Sequence, residues 1–461
     1  MKQLLRSLSV ILAAVLAVVL LTATPTAAQD KMVVGYYPEY RHATYPHTAI
    51  KFDNITHLAH SFIWPSSDGS GALVVPAGFI YPELIAAAHD ENVEVIVALG
   101  GAGHTSGFGP AASDPGTRGL LVENIVDFVQ DNGYDGVDLD WEGFSDAAYR
   151  NALIALIQEL DAALDAVDPE LTLSMPLGAT NWHGAYDMPA VVGNLDWIGI
   201  MTYDFHGTWT PHAGHNSPLH HAVGDADHFS LSQSVEYWLQ RGVPREKMLP
   251  GMAFYGQRWQ DVTEHMGPRT GPITAMTYVG ISELIDEEGW ERHWDDEAIV
   301  PYLLNAEEEL FVSYDDEESI SHKVEYIIEE DLAGAILWEI SQDYLPTGDQ
   351  PLFTAAGQLL QSPVASERGD GLPSQITLGR SYPNPFASST TIPFDIKQTI
   401  HVRIEVFDVM GKKVATLVDR VVAAGNHRTV WRAGNSQASG FYIYRMQTGE
   451  NTQSGSVVLT R

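Results

Sequence analysis

Acidic side chains alternate with apolar ones between Tyr134 and Glu142, where the sequence reads YDGVDLDWE. Asp138, Asp140 and Glu142 would point to one face of a β-strand, because successive side chains of a strand alternate between its two faces. Carboxyl groups that share a face repel one another when ionised, which raises the pKa of at least one of them, as a general acid requires. Chance acids on a solvated strand edge are the alternative, but strands are depleted in Asp and the intervening residues are apolar.

Strand and helix patterns alternate along the first 361 residues, and this alternation would position the acids. Short apolar runs alternate with segments of helical spacing, which indicates parallel strands joined by crossover helices. Eight such strands predict an α/β fold, the (β/α)8 TIM barrel, whose functional side chains lie at the carboxyl ends of its strands. The predicted strands are 31–37, 55–64, 93–99, 134–142, 171–177, 197–203, 248–254 and 334–338, and the predicted helices are 81–92, 120–131, 151–167, 232–241 and 319–329.

The acidic strand resembles the DxxDxDxE signature of family 18 glycoside hydrolases, the chitinase family, with Asp135, Asp138, Asp140 and Glu142 at the four acidic positions. The resemblance extends over most of residues 31–345. It implies that Glu142 donates a proton to the glycosidic oxygen and that the nucleophile is the substrate's own 2-acetamido oxygen. It also implies that Asp140 orients the acetamido group and that the reaction uses no cofactor.

Other residues at predicted strand ends resemble the sugar-binding positions of this family. Tyr203 would hydrogen-bond the acetamido oxygen, Asp204 would lie close to the acid, and Trp338 would form the floor beneath the reacting sugar. Sugar rings suit such sites because their apolar faces stack on aromatic rings while their hydroxyl groups need polar partners. The resemblance implies four catalytic residues, Glu142, Asp140, Asp138 and Tyr203, and seven substrate-binding residues, Tyr36, Trp141, Met201, Asp204, Tyr255, Arg258 and Trp338.

Two positions depart from the family pattern. Chitinases commonly carry a Ser two residues before the glycine pair of the third strand and an aromatic residue just after that pair, but this chain has Ala98 and Ala102. Ala98 would remove a hydrogen bond that supports Asp138, and Ala102 would remove a sugar platform on the leaving-group side. The run 313–316 also resembles a family segment, but we interpret it as a helix N-terminal cap followed by early acids.

Residues 259–311 interrupt the alternation of strands and helices. They combine aromatic residues with many acids and Gly-Pro turns. The family has a small α+β insertion between strands 7 and 8 that walls one side of the cleft, and we expect a shortened one here. A long irregular loop is the alternative, although structureless connections of this length are uncommon.

The composition changes to linker residues at 362–374, and a second domain is predicted at 375–461. Its short alternating strands predict a small all-β sandwich, with strands at 391–394, 402–408, 414–417, 427–431, 440–446 and 456–459. The YPNPF run at 382–386 resembles the start of the C-terminal sorting domain of type IX secretion. A carbohydrate-binding sandwich is the alternative, but Trp431 is the only Trp of this tail.

Residues 1–28 have the features of a secretory signal peptide. Lys2 and Arg6 precede an apolar run at 8–21 and a small-residue cleavage site that ends at Ala28. A membrane anchor is the alternative, but the apolar run is short. We therefore expect 29–361 to form a secreted or cell-surface catalytic domain, with no membrane span in the mature protein.

The formal net charge of −35 is concentrated before the tail, since the residues from Pro363 onward carry 11 Lys and Arg against 7 Asp and Glu. Such a field disfavours nucleic acid and anionic membranes as partners. The expected partners are chitin or N-acetylglucosamine oligomers and the secretion machinery, and the expected state is a monomer. Ordinary solubility and adaptation to high salt both explain the charge. The absence of cysteine excludes disulfides and cysteine-based zinc sites.

Five of the 18 histidines lie close together in the sequence, at His206, His212, His215, His220 and His221. None belongs to the HExxH helix pattern of zinc proteases. We interpret them as sugar-contacting or solvated residues and predict no metal.

The resemblance implies a secreted chitinase that hydrolyses β-1,4 bonds between N-acetylglucosamine units with retention of configuration. One alternative is an endo-β-N-acetylglucosaminidase of the same family that acts on glycoprotein glycans by the same chemistry. The other is a chitin-binding lectin-like barrel, but such proteins usually replace the residue at the position of Glu142, which is present here.

Overall fold

The computed structural model describes residues 31–459 except 144–147, 182–183, 226–229, 286, 362–375, 380, 383, 385, 409–411, 435–436, 439 and 449–450. The predicted signal peptide at 1–28 and the predicted linker at 362–374 lie outside the described residues. The chain divides into two compact units, one formed by Lys31–Ser362 and the other containing Pro363–Arg461.

The first unit is built on a closed parallel barrel. Around the barrel the order is β1-β14-β8-β7-β6-β5-β4-β2, and β1 also pairs with β2, which closes the ring. In chain order the strands of this unit are β1 Met32–Pro38, β2 His57–Pro65, β3 Leu73–Val74, β4 Glu94–Gly100, β5 Gly136–Asp140, β6 Thr172–Gly178, β7 Trp197–Met201, β8 Met248–Ala253, β9 Tyr255–Gln260, β10 Ile273–Thr277, β11 Glu291–Asp295, β12 Val300–Asn305, β13 Leu310–Ser313 and β14 Gly334–Trp338. The predicted (β/α)8 TIM barrel is confirmed.

Helices cover the outside of the barrel strands. Each barrel strand is almost entirely buried, as parallel strands covered on both faces are. The helices are α1 Pro82–Asp90, α2 Phe108–Ser113, α3 Pro115–Asn132, α4 Ala148–Val167, α5 Met188–Val191, α6 Leu231–Leu239, α7 Tyr278–Ile285, α8 Glu317–Glu329 and α9 Pro351–Gln361.

Local sequence signals fix the ends of α3. The Asp114 side chain accepts hydrogen bonds from the backbone N–H groups of Gly116 and Thr117, and Pro115 occupies the first helical position. The helix ends at Gly133, whose φ of 73° is left-handed and therefore favours glycine. The turn that follows leads directly into the acidic strand β5.

The insertion before the last barrel strand is a folded α+β layer. Its five strands form one antiparallel sheet in the order β10-β9-β13-β12-β11, and α7 follows β10. Trp259 and Phe311 form its core and are fully buried. The predicted α+β insertion is confirmed, and the alternative of an irregular loop is wrong. The sheet begins at Tyr255, earlier than the predicted start at residue 259.

A hydrogen-bonded cap begins α8. Asp316 accepts from the backbone N–H groups of Glu318 and Ser319, and the Ser319 hydroxyl accepts from the Asp316 N–H. This reciprocal arrangement is a capping box. The interpretation of 313–316 as a helix cap is confirmed at Asp316.

The second unit contains a sandwich of two sheets. A three-stranded sheet has the order β15-β16-β19, and a four-stranded sheet has the order β18-β17-β20-β21. Trp431 lies in its core with 2% exposure, so its ring cannot serve as a sugar platform. The strands are β15 Ile376–Leu378, β16 Ser389–Ile396, β17 Ile400–Asp408, β18 Lys413–Val422, β19 Gly425–Arg432, β20 Gly440–Thr448 and β21 Asn451–Leu459.

Among the described residues, every helix is too short or too polar to cross a lipid bilayer.

Candidate active site

The acidic residues lie at the carboxyl end of β5. Asp138 and Asp140 belong to the strand and are 0% and 4% exposed, whereas Glu142 follows the strand and is half-buried. The strand therefore ends two residues earlier than predicted. A Cβ atom on Gly100 would lie 2.1 Å from the Asp140 carbonyl oxygen, so only glycine lets β4 end this close to the acids.

Asp138 is held by two hydroxyl groups. The Tyr36 hydroxyl donates to Asp138 Oδ2 at 2.6 Å, and the Ser174 hydroxyl donates to Oδ1 at 2.6 Å. Burial raises the pKa of Asp138 to about 6, and both hydrogen bonds oppose that rise because they stabilise the ionised form. Ala98 has no hydroxyl to donate to Asp138, and Ser174 on the neighbouring strand β6 supplies a hydrogen bond from the other side.

A side-chain hydrogen bond joins Asp140 and Glu142. The pKa of Asp140 is raised well above its ordinary value, first by burial and then by the charges of Glu142 and Asp138. The pKa of Glu142 is also raised, mainly by burial. Burial and the neighbouring charges therefore favour the protonated form of a carboxyl in this pair. Burial, rather than the mutual repulsion expected from the sequence, is the larger cause of both rises.

Tyr203 and Asp204 follow β7 and face these acids. Burial raises the pKa of Tyr203, with further contributions from the charges of Asp140 and Glu142. Asp204 accepts a hydrogen bond from Gln257 Nε2 at 3.0 Å and has a left-handed φ of 55°, a conformation that non-glycine residues often adopt at functional sites.

The carboxyl of Asp204 also interacts with Tyr255. Partial burial of that carboxyl raises its pKa, and the hydrogen bonds from Tyr255 and Gln257 oppose the rise. Because the residue as a whole is exposed, solvent screens its charge and limits the effect. The rings of Tyr203 and Tyr255 meet edge to face at 6.0 Å.

Aromatic rings cluster around Trp338, the last residue of β14. Trp338 is half-buried and makes an edge-to-face contact with Tyr36, at 5.5 Å between ring centroids. Phe62 lies 5.8 Å from the same indole. Met201 ends β7 and is half-buried. The ring of Trp338 and the carboxyl of Asp138 are thus connected through one tyrosine.

Trp141 does not occupy the position that a substrate-binding residue needs. It is 1% exposed and stacks on Phe108 with 5.0 Å between ring centroids. Trp141 is buried away from the acids because it alternates with them along the chain and therefore points to the other face. It supports β5 from outside, so its prediction as a sugar contact is corrected.

Two further residues were singled out from the sequence, Asp135 in the acidic motif and Arg258 in the predicted site. Asp135 Oδ2 accepts hydrogen bonds from the Val95 N–H at 2.6 Å and from His89 Nε2 at 2.7 Å, which places it at the amino end of β5. Arg258 belongs to β9 of the insertion, and its Nε is buried without a hydrogen-bond partner among the described residues.

Three side chains near the acids were not predicted. Ser174 lies opposite Asp138 in the strand register, and Gln257 binds Asp204. The Tyr186 hydroxyl donates to the Trp141 carbonyl at 3.3 Å, and the pKa of Tyr186 is raised by burial and by the charges of Asp140 and Glu142. The one available signal was the predicted site residue Tyr255, which lies two residues before Gln257.

The histidines differ from their predicted environment. His206 and His215 are 0% and 1% exposed, so the interpretation of the group as solvated or sugar-contacting is wrong for these two. Both belong to the loop that follows β7 and make hydrogen bonds within the protein.

Sequence comparison relates the two units to known families. The profile of Glycosyl hydrolases family 18 matches residues 32–343. The profile of Secretion system C-terminal sorting domain matches residues 380–460, which indicates that the protein is secreted. Chitinase A1 of Niallia circulans is 33% identical over 285 residues, which cover 55% of this chain and 41% of that protein. A probable endochitinase of Caenorhabditis elegans is 30% identical over 307 residues, which cover 61% of this chain and 48% of that protein. The chain thus spans less than half the length of these two relatives.

Solved structures show the same relationship. The Group IV chitinase of Ostrinia furnacalis in complex with allosamidin has a TM-score of 0.66 and 26% identity, covering 72% of this chain and 100% of its own. A family 18 N-acetylglucosaminidase from Paenibacillus barengoltzii has a TM-score of 0.65 and 27% identity, covering 71% of this chain and 99% of its own. Because the family profile covers more than half of its residues, the chain belongs to family 18 of the glycosyl hydrolases.

Proposed function

We propose that the protein is a secreted chitinase that hydrolyses β-1,4 bonds between N-acetylglucosamine units with retention of configuration. The observation that carries this proposal is the hydrogen-bonded pair of Asp140 and Glu142, whose burial raises both pKa values. A carboxyl that remains protonated near neutral pH at the edge of a cleft can act as a general acid. Glu142 is the more exposed member of the pair and is assigned that role.

In the first step the Glu142 carboxyl gives its proton to the glycosidic oxygen as the bond from that oxygen to the sugar C1 breaks. The acetamido oxygen of the same sugar forms a new bond to C1 from the opposite face. This attack needs no carboxylate nucleophile. The leaving chain departs with the proton, and Glu142 is left ionised.

In the second step a water molecule attacks C1 while Glu142 takes a proton from it, and the bond from C1 to the acetamido oxygen breaks. Asp140 Oδ1 is buried and has no hydrogen-bond partner among the described residues. We assign this oxygen to the acetamido N–H, which would hold the nucleophile in place and stabilise its positive charge. Tyr203 is assigned to the acetamido oxygen, and Trp338 and Met201 to the sugar face. Tyr36 is 2% exposed, so its predicted sugar contact is corrected to support of Asp138.

The anomeric form of the first product tests this mechanism. Two successive inversions at C1 restore the starting configuration, so fresh digests of chitotetraose should contain the β-anomer first. Proton NMR during the first minutes distinguishes the anomers before they interconvert. Initial α-product would exclude the acetamido oxygen as nucleophile and would assign the attack to a water molecule activated by Asp140 or Asp204.

A second candidate is an endo-β-N-acetylglucosaminidase that cleaves glycoprotein glycans with the same acid and the same nucleophile. The similarity to a family 18 N-acetylglucosaminidase favours keeping it. Parallel assays with chitin oligomers and with a high-mannose glycoprotein separate the two. Faster turnover of chitin oligomers is expected, and a preference for the glycoprotein would replace the first candidate with the second. The presence of Glu142 argues against a lectin-like barrel, because such proteins usually replace the residue at this position.

A further inference from the structure

A group of metal-binding side chains lies in the loop that follows β7, outside the proposed catalytic site. We propose that His206, His212 and Asp225 bind one divalent transition-metal ion of the zinc class. Their ligand atoms all lie within 4.8 Å of one another. Two imidazole nitrogens and a carboxylate oxygen form a donor set that zinc accepts, with water at the remaining position.

The hydrogen bonds of His206 leave its Nε2 available as a metal ligand. His206 Nδ1 lies 2.8 Å from the His215 carbonyl oxygen. Because a carbonyl only accepts, Nδ1 carries the hydrogen and Nε2 of the neutral ring keeps a lone pair. A backbone carbonyl that orients the other ring nitrogen in this way is typical of metal-binding histidines.

The Nε2 atoms of His206 and His212 converge on one carboxylate. The distance from His206 Nε2 to Asp225 Oδ2 is 3.0 Å, and that from His212 Nε2 to Asp225 Oδ1 is 3.4 Å. Neither contact is a hydrogen bond, because both nitrogens are buried and lack a hydrogen-bond partner among the described residues. Ligands of a tetrahedral zinc ion lie roughly 3.3 Å apart, since each is about 2.0–2.1 Å from the metal. Both distances are close to this ligand spacing, so an ion can lie between these atoms.

The neighbouring loop geometry fits a bound ion. A Cβ atom on Gly214 would lie 2.4 Å from the His206 ring, so glycine allows the backbone to close over that ring. His206 and Asp225 are almost completely buried, whereas the His212 side chain is 15% exposed and offers an entry path. The net charge of −35 favours uptake of a cation.

A second histidine group nearby is better explained without a metal. His215 Nε2 forms a hydrogen bond of 3.1 Å with Asp295 Oδ2, and its Nδ1 lies within hydrogen-bond distance of the Ser313 hydroxyl at 3.4 Å. His265 Nδ1 is 3.8 Å from the same carboxylate oxygen. Both nitrogens of His215 already have partners, so this group is not expected to bind a metal. It therefore serves as the control for the proposed zinc site.

The proposed ion would fix the loop that carries Asp204. Asn216 lies in this loop, and its side-chain oxygen accepts from the Asp204 N–H at 3.3 Å while its carbonyl accepts from the Phe205 N–H at 3.1 Å. Asn216 lies between His206 and Asp225 along the chain. A metal ion bound to both residues would therefore restrain the segment that carries Asn216. The ion is thus assigned a structural role next to the proposed catalytic residues.

The test uses the full-length protein without a histidine tag, after removal of metal with dipicolinate. Zn²⁺ is titrated in competition with a chromophoric chelator, and bound zinc per chain is measured by atomic emission. We expect one zinc ion per chain and a melting temperature that rises with zinc. A protein that binds no zinc at micromolar concentrations overturns the proposal.

Three variants locate the ion. His206→Gln and His212→Gln should each weaken zinc binding at least about 10-fold. A loss of this size is typical even when the substituted residue only hydrogen-bonds to a metal ligand. His265→Gln is the matched control and should bind zinc like the unchanged protein. If His206→Gln does not fold, the partly exposed His212→Gln decides alone. Unchanged zinc affinity in His212→Gln overturns the proposal, as does loss of zinc in His265→Gln, which would assign the ion to the neighbouring group.

Discussion

At the scale of single residues, the carboxyl of Glu142 is assigned the proton transfer. Glu142→Gln keeps the shape of the side chain but removes the proton that the leaving oxygen needs. We expect kcat on chitotetraose to fall at least about 100-fold, the low end of the range for general acid catalysis. Binding of the tetramer, measured by calorimetry, should remain.

Asp135→Asn is the matched control for Glu142→Gln. Asp135 belongs to the same acidic motif, but its carboxylate accepts hydrogen bonds at the amino end of β5. The amide oxygen can still accept them, so turnover should stay near that of the unchanged protein. Near-normal turnover in Glu142→Gln would contradict the assignment of the acid.

The buried Asp138 should make the stability of the fold depend on pH. Its pKa rises from 3.8 to about 6 on folding. Between these values the native state holds a proton that the unfolded chain releases, so the free energy of unfolding falls as pH rises, by on the order of 1.4 kcal/mol per pH unit. Above pH 6 the native Asp138 is ionised as well, so the stability that its bound proton contributes at low pH is lost.

Asp138→Asn should remove this dependence, because an amide does not titrate. In urea unfolding, the stability of the variant relative to the unchanged protein should increase by roughly 3 kcal/mol between pH 4 and pH 7. The exposed Asp53→Asn controls for the change in net charge. Parallel pH curves for Asp138→Asn and the unchanged protein would show that the native pKa of Asp138 is ordinary.

The sequence predicted the reactive groups of the site better than their supports. Asp138, Asp140 and Glu142 lie within five residues, and the end of one strand brings them together. Ser174 supports Asp138 from 36 residues away, and its position depends on the register of two parallel strands, which no local pattern encodes. The convergence of His206, His212 and Asp225 depends in the same way on how a long loop closes.

At the scale of elements, a buried ion pair joins α8 to the barrel loops. Lys323 Nζ contacts both Asp315 oxygens at 2.6 Å, and both side chains are fully buried. The ammonium also donates to the Ser217 hydroxyl at 2.9 Å. Removal of one member leaves an uncompensated charge in the interior, which costs far more than loss of a surface pair.

Lys323→Met should lower the free energy of unfolding by about 3–5 kcal/mol, measured by urea denaturation. The double variant Lys323→Met with Asp315→Leu should recover much of this loss, because it removes the stranded carboxylate as well. If the double variant is no more stable than Lys323→Met, loss of packing rather than the unpaired charge explains the cost.

The elements were predictable where one strand or helix contains its own signal. All eight barrel strands lie within two residues of their predicted limits. The helix Pro351–Gln361 was not predicted, and the insertion begins at Tyr255 rather than 259. The latter error has a physical reason, because β8 and β9 are separated only by Phe254, and the apolar pattern continues through the change of sheet.

At the scale of the whole molecule, the tail is a separate compact unit with its own core. We expect a chain that ends at Ser362 to hydrolyse soluble chitin oligomers as fast as the full chain. In the native host the same truncation should leave the enzyme in the periplasm, because the sorting domain is missing.

Two measurements decide the role of the tail. Release of the truncated enzyme into the medium, measured by activity in cell fractions, would contradict the sorting role. If the truncated enzyme loses activity on solid chitin but keeps it on soluble oligomers, the tail binds carbohydrate. A second attachment point raises the effective concentration of the enzyme only at an insoluble surface. The burial of Trp431 argues against that outcome.

The closure of the barrel also governs when the enzyme can fold. β1 pairs with β14, and Lys31 beside it is hydrogen-bonded to Asp331, 300 residues further along. Contacts of such long sequence separation form late. A chain that emerges from its amino end cannot complete the barrel until Trp338 is free, and until then its sheet has two open edges that can pair with other chains. The nascent protein therefore cannot close its barrel during most of its synthesis, and it needs protection from aggregation over the same interval.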